Sequence, residues 1–495
     1  MDIEKKNPQL PLFIIKLEIK MKNQKKNGFI KTPSGISGLD EITNGGFPKG
    51  RPILICGSAG CGKTLFATQF IVKGITDFNE PGVFMSFEET SKDLAQNVSS
   101  LGFDLNKLIA QDKLRIDHVR VERSEIEETG EYDLEGLFIR LGHAIDSIGA
   151  KRVVLDTIES LFAGINNTGL LRAEIRRLFQ WLRDKGVTTV ITGERGENTL
   201  TRQGLEEYIS DCVILLDFRV IDQIATRRLR IVKYRGSTHG TNEYPFLIDA
   251  NGISVMPITS LKLDYKSATE IISTGLPPLD AFFQKGGYYR GGNILVTGSA
   301  GTAKTILSTY FALSSCKRKE RVLYFSFEES PDQLVRNMQS IGINIEPYIK
   351  SNLLLIHASR PTLQGLEMHL LVLLRLVNEF KPKTIIIDPI SSLITIGSTS
   401  EVRAMLVRLM DIFKVNQINA LFTSLTNPKQ NEYSDPTVDA ISSLADTWIN
   451  LKNETKENER IRSLLIVKSR GMSHRNNECD FVINDKGIQL LPKNK

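Results

Sequence analysis

The sequence is poor in cysteine and has no long hydrophobic run. Its 495 residues include five cysteines, at positions 56, 61, 212, 316 and 479, and their spacing matches no common metal-binding pattern. No apolar run approaches the roughly 18–20 residues that a membrane-spanning helix needs. The run Leu10–Ile15 is followed at once by Lys16 and Glu18, which argues against a signal peptide. We therefore expect a protein of the reducing cytoplasm, without a disulfide framework or a membrane anchor.

The chain also carries little net charge outside its N-terminus. The formal net charge is +6, and residues 1–30, with seven lysines and three acidic residues, account for most of it. The remainder is close to neutral, whereas a nucleic-acid-binding domain is usually strongly basic. We interpret residues 1–30 as a basic flexible arm that is solvated rather than a specific binding element, and we expect no nucleic-acid partner.

What the sequence does contain is one long pattern that occurs twice. Five segments of the first half recur in the same order, at offsets of 232 to 241 residues. This indicates tandem duplication of a whole domain. We predict a first domain over residues 31–257, a linker over residues 258–268 and a second domain over residues 269–495. The paired segments are 34–40 and 274–280, 57–64 and 298–305, 84–90 and 324–330, 153–156 and 385–388, and 233–236 and 468–471.

Each half alternates short β-branched runs with longer helical patterns, such as Leu134–Ile148 and Val402–Phe413. This alternation predicts an α/β fold in which a mainly parallel sheet is flanked by helices on both faces. A nucleotide would bind beyond the carboxyl ends of the strands.

A glycine-rich loop follows the apolar run Pro52–Cys56 and precedes the helical pattern Leu65–Gly74. A strand, such a loop and then Lys-Thr at the start of a helix is the phosphate-binding P-loop arrangement. Backbone N–H groups and the helix N-terminus favour phosphate, while the lysine reaches the β- and γ-phosphates. The predicted nucleotide-binding residues are Gly57, Ser58, Ala59, Gly60, Cys61, Gly62, Lys63, Thr64 and Leu65, and Gly298, Ser299, Ala300, Gly301, Thr302, Ala303, Lys304 and Thr305.

Asp156 and Asp388 each end an aliphatic strand pattern. A carboxylate delivered by a buried strand behind a P-loop is the Walker B arrangement, in which it helps to hold Mg²⁺. We predict Thr64 with Asp156, and Thr305 with Asp388, as the metal-binding pairs. Taken alone, an aspartate after a strand also fits a helix N-cap.

Two acidic pairs, Glu88-Glu89 and Glu328-Glu329, follow an identical Ser-Phe. The spacing from the P-loop predicts that each pair ends the strand neighbouring the P-loop strand. One carboxylate of each pair could then act as the catalytic base toward a water or a hydroxyl. The alternative is an acidic turn that caps the following helix, near Thr90 or Ser330.

One cationic motif lies in the late part of each half. Two cations two residues apart on a strand point to one face, which suits a polyphosphate. Supplied to a neighbouring subunit, they would act as arginine-finger-type contacts and require a ring or a filament. The alternative is the exposed cationic face of a strand. The residues are Lys233 and Arg235 with His239, and Lys468 and Arg470 with His474.

Together these motifs resemble the KaiC family, the double-domain RecA-like ATPases and autokinases of the cyanobacterial circadian clock. The resemblance covers nearly all of residues 33–492 and includes Glu206–Asp211 and the first-half motif Tyr244–Phe246. It implies two tandem RecA-like P-loop NTPase domains in a homohexamer that binds ATP and Mg²⁺ at subunit interfaces in both tiers. It further implies ATP hydrolysis in the first tier, Ser/Thr autophosphorylation in the second, and Arg462 as a further contact in trans.

The family places its phosphoacceptors shortly before an Asp-Thr and an aliphatic strand. Ser442 and Ser443 occupy those positions, and Thr437 matches a third nearby threonine. The resemblance implies that Glu328 of the adjacent subunit activates the serine hydroxyl. Two ordinary serines at the start of a helix or turn are the alternative.

The chain departs from the family pattern at several positions. Ala303 replaces the last glycine of the second P-loop, and Ile341 replaces an aromatic residue beside the nucleotide. The sequence stops at Lys495 without the family's long C-terminal tail, so we expect no KaiA-type partner. A simpler timer or a stress-signalling role, with a KaiB-like partner on the first tier, fits these departures.

Two other functions stay open from the sequence. A nucleotide-gated signalling scaffold without kinase activity is compatible with Ala303 and Ile341. A RecA-like nucleic-acid motor is compatible with the fold and the basic arm, but the near-neutral body argues against it.

Overall fold

The computed structural model describes residues 30–119, 134–162, 168–196, 200–201, 210–221, 224–257, 268–426, 441–456 and 459–491. Almost all of the basic arm and of the linker therefore lies outside the described residues, as do residues 206–209 and Thr437. The chain divides into two compact units, one built mostly from residues up to 259 and the other mostly from residues beyond.

The first domain is built on a nine-stranded sheet of order β11-β10-β9-β8-β3-β7-β6-β4-β5, and β1 and β2 form a separate pair. Strands β3 to β8 run parallel, and β9 to β11 continue the sheet antiparallel. The strands are β1 (Lys31–Thr32), β2 (Phe47–Pro48), β3 (Pro52–Gly57), β4 (Gly82–Ser86), β5 (Leu114–His118), β6 (Arg152–Asp156), β7 (Thr188–Glu194), β8 (Cys212–Ile221), β9 (Ile224–Tyr234), β10 (Glu243–Asp249) and β11 (Gly252–Val255).

Helices cover both faces of this sheet. Alternate residues of β3 face two cores: Ile53 and Ile55 pack with Phe66 and Phe70 on one side, while Leu54 packs with the helices of the other side. This is the pattern expected of a buried parallel strand. The helices are α1 (Leu39–Ile42), α2 (Lys63–Phe78), α3 (Ser91–Ser99), α4 (Leu105–Ala110), α5 (Glu135–Ile148), α6 (Ile158–Leu161) and α7 (Thr168–Asp184).

The second domain repeats this plan with the sheet order β16-β15-β17-β18-β14-β19-β20-β21-β22 and the separate pair β12 and β13. Here β14 to β19 run parallel, and β20 to β22 are antiparallel. The strands are β12 (Ile271–Ile272), β13 (Tyr288–Tyr289), β14 (Asn293–Gly298), β15 (Val322–Ser326), β16 (Leu354–Ala358), β17 (Thr384–Asp388), β18 (Asn419–Leu425), β19 (Thr447–Lys456), β20 (Glu459–Ser469), β21 (Cys479–Asn484) and β22 (Gly487–Leu490).

The helices of the second domain lie at the corresponding places. The predicted fold class, two tandem domains that each consist of a mainly parallel sheet flanked by helices, is therefore confirmed. The α-helices are α8 (Pro277–Asp280), α9 (Lys304–Lys317), α10 (Pro331–Gln339), α11 (Glu346–Lys350), α12 (Leu366–Phe380) and α13 (Thr399–Val415), with 3-10 helices at Pro361–Leu363 and Ile390–Thr395.

One placement predicted from the sequence is wrong. The strand that leads to Glu88 is β4, and in the sheet it is separated from the P-loop strand β3 by β6 and β7. The corresponding strand β15 is likewise separated from β14 by β17 and β18. Both crossovers skip positions that later strands fill, which neighbouring motifs in the sequence do not reveal. In the described residues no helix is long and apolar enough to span a bilayer.

Candidate functional site

The first phosphate loop joins the end of β3 to the start of α2, at the carboxyl edge of the parallel strands. Gly62 precedes the helix with φ 107° and ψ 21°, a left-handed conformation that glycine adopts most readily. The Lys63 side chain is buried, and its Nζ donates to the carbonyl oxygens of Gly57 at 2.9 Å and Ser58 at 3.1 Å. The lysine side chain is thus folded back onto the carbonyl groups of its own loop.

Asp156 ends β6 beside this loop. The Thr64 hydroxyl donates to Oδ2 of Asp156 at 2.9 Å, and the Thr192 hydroxyl donates to Oδ1. Burial raises the pKa of Asp156, although the two hydroxyl bonds act in the opposite direction. The structure therefore brings together the threonine and the aspartate predicted to bind metal.

A hydroxyl oxygen and a carboxylate oxygen are ligands that suit Mg²⁺. The described residues hold no cluster of three or more His, Cys, Asp or Glu side chains that could bind a metal ion unaided. A cation at Thr64 and Asp156 would take its other ligands from nucleotide phosphates and water, as is usual for Mg²⁺.

The two glutamates at the end of β4 have different surroundings. Glu88 Oε1 accepts hydrogen bonds from the hydroxyls of Thr157 at 2.8 Å and Ser160 at 2.7 Å, so its carboxylate is held beside the residue that follows Asp156. Glu89 Oε2 instead accepts from Asn97 on α3 at 3.3 Å. Of the two, Glu88 is the carboxylate held next to the predicted metal-binding pair. The Thr90 side chain caps α3, so this turn does cap the following helix, as the alternative interpretation expects.

The second phosphate loop joins β14 to α9 and reproduces the first. Lys304 is buried, and its Nζ donates to the carbonyls of Gly298 and Ser299, both at 2.8 Å. Burial lowers the pKa of Lys304 to about 8, against the raising effect of the carboxylates of Asp388 and Glu328. Ala303 takes the place of Gly62, with φ 80° and ψ 23°. The alanine adopts the same left-handed conformation as the glycine, so the backbone enters the helix in the same way.

Asp388 ends β17 at the position corresponding to Asp156, but its partners differ. Its Oδ1 accepts from the Thr423 hydroxyl, and its Oδ2 accepts from the Tyr324 hydroxyl at 2.6 Å. Burial, followed by the Asp388 charge, raises the pKa of Tyr324 well above its usual value, so the phenol stays a donor. Sequence reasoning missed Tyr324, because an aromatic residue in a strand pattern indicates core. Thr305 lies in the first turn of α9.

The second acidic pair is held less tightly than the first. Glu328 Oε1 accepts from the Ser392 hydroxyl at 3.1 Å, and Pro389, which has no hydroxyl, stands where the first domain has Thr157. Glu329 Oε1 accepts from Asn337 at 3.3 Å. Burial, followed by the charge of Asp388, raises the pKa of Glu329.

The predicted phosphoacceptors lie at the opposite edge of the sheet from their own P-loop. They precede β19, whose first residue Thr447 pairs with Ile294 near the start of β14, whereas the P-loop begins at Gly298. Those four residue steps along β14 span about 13 Å. Ser443 is exposed and Ser442 is half-buried.

The cations Lys468 and Arg470 lie beside these serines. Lys468 Nζ donates to the Ser442 carbonyl oxygen at 2.6 Å, and Arg470 donates to the Ser443 carbonyl. Lys468 pairs with Trp448 at the same edge of the sheet. The two cations and the two serines thus form one cluster, which we call the acceptor cluster. No sequence motif predicted this contact.

The first domain has the corresponding cations at the edge of its sheet where the parallel strands begin, which we call the amino edge. The Arg235 backbone N–H donates to Asp211, whose N–H in turn donates to Pro52 at the start of β3. Lys233 lies two residues earlier, at the end of β9. His239 lies near Tyr234, with their ring centroids 6.3 Å apart.

The three remaining positions singled out in the sequence lie in three separate parts of the second domain. Arg462 donates to the Gly301 carbonyl of its own P-loop at 3.1 Å. His474 forms an isolated antiparallel bridge with Phe283. Ile341 packs against the apolar core of the second domain.

Comparison with known proteins follows the same division into two repeats. The family model described as "ATPase: KaiC" matches residues 32–260 and again residues 272–495. The chain is 54% identical over 469 residues to the circadian clock protein KaiC2 of Synechocystis sp. PCC 6803, covering 95% of this chain and 83% of that protein.

Similarity extends to other clock proteins at lower identity. The chain is 37% identical to the circadian clock oscillator protein KaiC of Synechococcus elongatus PCC 7942, over 94% of this chain and 90% of that protein. It is 36% identical to the protein of the same name from Prochlorococcus marinus MIT 9313, over 93% and 92% of the two chains.

Proposed function

Since the chain belongs to the KaiC family of RecA-like ATPases, we propose that it hydrolyses ATP in its first domain and phosphorylates its own serines in the second. The working unit is a homohexamer, as the resemblance to the family implies. Its role is that of a clock, a timer or a stress-signalling protein, because the relatives are named as circadian clock proteins. The proposal takes residues 31–257 and 269–495 as the two catalytic domains, and includes a KaiB-like partner for the first.

The observation that carries this proposal is the placement of the acceptor cluster at the amino edge of the sheet, opposite its own P-loop. A γ-phosphate bound at Gly298–Thr305 lies beyond the carboxyl ends of the strands. Ser442 and Ser443 precede a strand that starts at the other edge. This separation argues against transfer within one chain and supports transfer between subunits.

The same placement supports a ring. Each subunit presents its serines with Lys468 and Arg470 on one side and its P-loop on the other. Contacts between unlike faces are head-to-tail, and they close into a ring when the rotation between subunits allows it. The cations of one subunit then face the phosphates of the next, where they would stabilise the charge that develops during transfer.

In the first domain, the loop amides and Lys63 would bind the phosphates, and Thr64 and Asp156 would hold Mg²⁺. When bound, Mg²⁺ neutralises charge on the β- and γ-phosphates. Glu88 accepts a hydrogen bond from the attacking water and orients it in line with the γ-phosphorus, because Thr157 and Ser160 fix its carboxylate.

In the second domain, Glu328 accepts the proton of a serine hydroxyl from the adjacent subunit. The bond from serine Oγ to the γ-phosphorus forms while the bond to the β-bridging oxygen breaks, and ADP leaves. Lys304, whose Nζ now donates to the carbonyls of Gly298 and Ser299, would turn to contact the β- and γ-phosphates. Glu328 has one hydroxyl donor where Glu88 has two, which suits a base that must meet an incoming side chain.

The experiment is incubation of the full chain with γ-labelled ATP and Mg²⁺, followed by mapping of the label. We expect label on Ser442 or Ser443 and none in the Ser442→Ala/Ser443→Ala double variant or in Glu328→Gln. Label-free wild-type protein that still releases phosphate would refute the kinase half and leave the scaffold alternative. The Lys63→Ala variant should lose most phosphate release while still taking up label.

A further inference from the structure

The two aspartates that we assign to the metal differ in one buried neighbour. Tyr324 lies two positions before the β15 residue that pairs with Asp388, and Phe84 lies two positions before the β4 residue that pairs with Asp156. Both rings are at least 98% buried. The two positions are therefore equivalent, and the tyrosine adds a hydroxyl that the phenylalanine lacks.

That hydroxyl occupies an oxygen of the second aspartate. Tyr324 Oη donates to Asp388 Oδ2 at 2.6 Å, and Thr423 donates to Oδ1. In the first domain the corresponding Oδ2 of Asp156 accepts instead from Thr64, the P-loop threonine, at 2.9 Å. The tyrosine thus holds the oxygen that in the first domain faces the predicted metal site.

Such a bond competes with a metal ion. A hydrogen bond to a charged oxygen is stronger than a hydrogen bond to a neutral oxygen. A buried donor that loses its acceptor cannot form a replacement hydrogen bond to water, so breaking the bond costs free energy. A cation, or water bound to it, must share Oδ2 of Asp388 with Tyr324 or displace it. In the first domain the donor to Oδ2 of Asp156 is Thr64, a predicted metal ligand that can turn its oxygen toward the cation, and Phe84 adds no second donor.

We propose that Tyr324 is a positioning residue that holds Asp388 and makes the second domain bind its divalent cation more weakly than the first. The inference rests on the proposed function only in that it takes Asp388 and Asp156 as metal-binding residues. It gives the two domains of one chain different requirements for free Mg²⁺, so that phosphotransfer falls before hydrolysis does when Mg²⁺ is scarce.

The test measures metal binding directly. Mn²⁺ is titrated into the full chain with a non-hydrolysable ATP analogue, and free Mn²⁺ is counted by electron paramagnetic resonance. We expect two affinity classes in the wild type. Tyr324→Phe should tighten the weaker class by about 3- to 10-fold, which is the loss of roughly one competing hydrogen bond.

Two further variants make the result specific. Phe84→Tyr places the hydroxyl in the first domain and should weaken the tighter class by a similar factor. Tyr288→Phe removes the hydroxyl of another buried tyrosine, in β13, and should change neither class.

The role of Tyr324 and the assignment of the two aspartates to the metal are tested by different outcomes. Unchanged affinities in both Tyr324→Phe and Phe84→Tyr overturn the inference and leave the metal site standing. If Tyr324→Phe does not fold, Phe84→Tyr decides alone, and an equal or tighter first class overturns the inference. If Asp388→Asn and Asp156→Asn leave Mn²⁺ binding unaltered, the metal assignment itself fails, and the inference fails with it.

Discussion

Thr157 donates a 2.8 Å hydrogen bond to Glu88, and the corresponding position in the second domain is Pro389, which cannot donate one. In our account this bond fixes the carboxylate that orients the attacking water. We predict that Thr157→Val lowers first-domain ATP hydrolysis by about 10- to 100-fold, as expected for one lost hydrogen bond to a charged group. Phosphate release under saturating ATP measures it.

Autophosphorylation should not change in this variant, because the second domain has its own site. Thr157→Ser is the matched control, since it keeps the hydroxyl and should retain most of the activity. A valine variant as active as the wild type would argue that Thr157 does not position Glu88.

The two glutamates of the first pair should differ in effect. Glu88 is held beside Asp156, while Glu89 bonds to Asn97 on α3. We predict that Glu88→Gln lowers hydrolysis by about 100-fold or more, the usual contribution of a general base. Glu89→Gln should cost much less. Nucleotide binding, measured separately, should persist in both, and a larger loss in Glu89→Gln would reverse the assignment.

The last residue before each P-loop helix should tolerate change unequally. Gly62 has φ 107°, and a Cβ there would lie 3.0 Å from Ile248 Cδ1. Ala303 sits at φ 80°, in the left-handed region. We predict that Gly62→Ala costs about 1–3 kcal/mol through strain and weakens nucleotide binding in the first domain.

Ala303→Gly is the counterpart. It relieves a left-handed alanine but makes the unfolded chain more flexible, so its net effect should be within about 1 kcal/mol. Thermal unfolding with and without nucleotide measures both variants. Equal effects of the two substitutions would contradict this account of the loops.

A buried histidine should make the protein sensitive to acid. His369 is 1% exposed; its Nε2 lies 2.9 Å from the Pro361 carbonyl and its Nδ1 lies 3.1 Å from the Gln364 side-chain amide nitrogen. These contacts suit a neutral ring that donates from Nε2. Burial lowers the pKa of His369, although the contact with Pro361 raises it.

The direction of the pH dependence of stability follows from proton uptake by His369. Below pH about 6.5, the usual value for histidine, the unfolded chain binds a proton that the folded chain resists, so stability falls as pH falls. We predict that melting temperature drops between pH 7.5 and 5.5, and drops less in His369→Met. The exposed His143, changed to Gln, should leave the wild-type drop intact. An equal drop in His369→Met would exclude this residue as the cause.

The sequence was sufficient to predict the domain repeat, the fold class and the ends of the functional strands. Glycine-rich loops before a helix, and aspartates after aliphatic runs, have strong local physical reasons that survive folding. Strand order is different, because it depends on which later strands fill the gap between β3 and β4. That is a property of the whole sheet, and no local pattern records it.

The sequence also did not predict side-chain contacts made by residues that belong to no motif. Tyr324 resembles a core aromatic residue until its hydroxyl is seen on Asp388. The bonds from Lys468 and Arg470 to serine carbonyls join segments 26 and 27 residues apart. Such contacts depend on side-chain direction and on strand register, and both are fixed only by the packed structure.

The central claim is that phosphate passes from the nucleotide of one subunit to the serines of its neighbour, and mixing two inactive variants tests it most directly. Glu328→Gln keeps the acceptors but lacks the base, while the Ser442→Ala/Ser443→Ala variant keeps the base but lacks the acceptors. After dissociation and reassembly together with γ-labelled ATP and Mg²⁺, we expect label on the serines of the Glu328→Gln subunits, although neither variant alone takes up label. Two results would contradict the account. One is a mixture that stays unlabelled while wild-type protein treated identically is labelled, and the other is label in Glu328→Gln protein that has not been mixed with the serine variant.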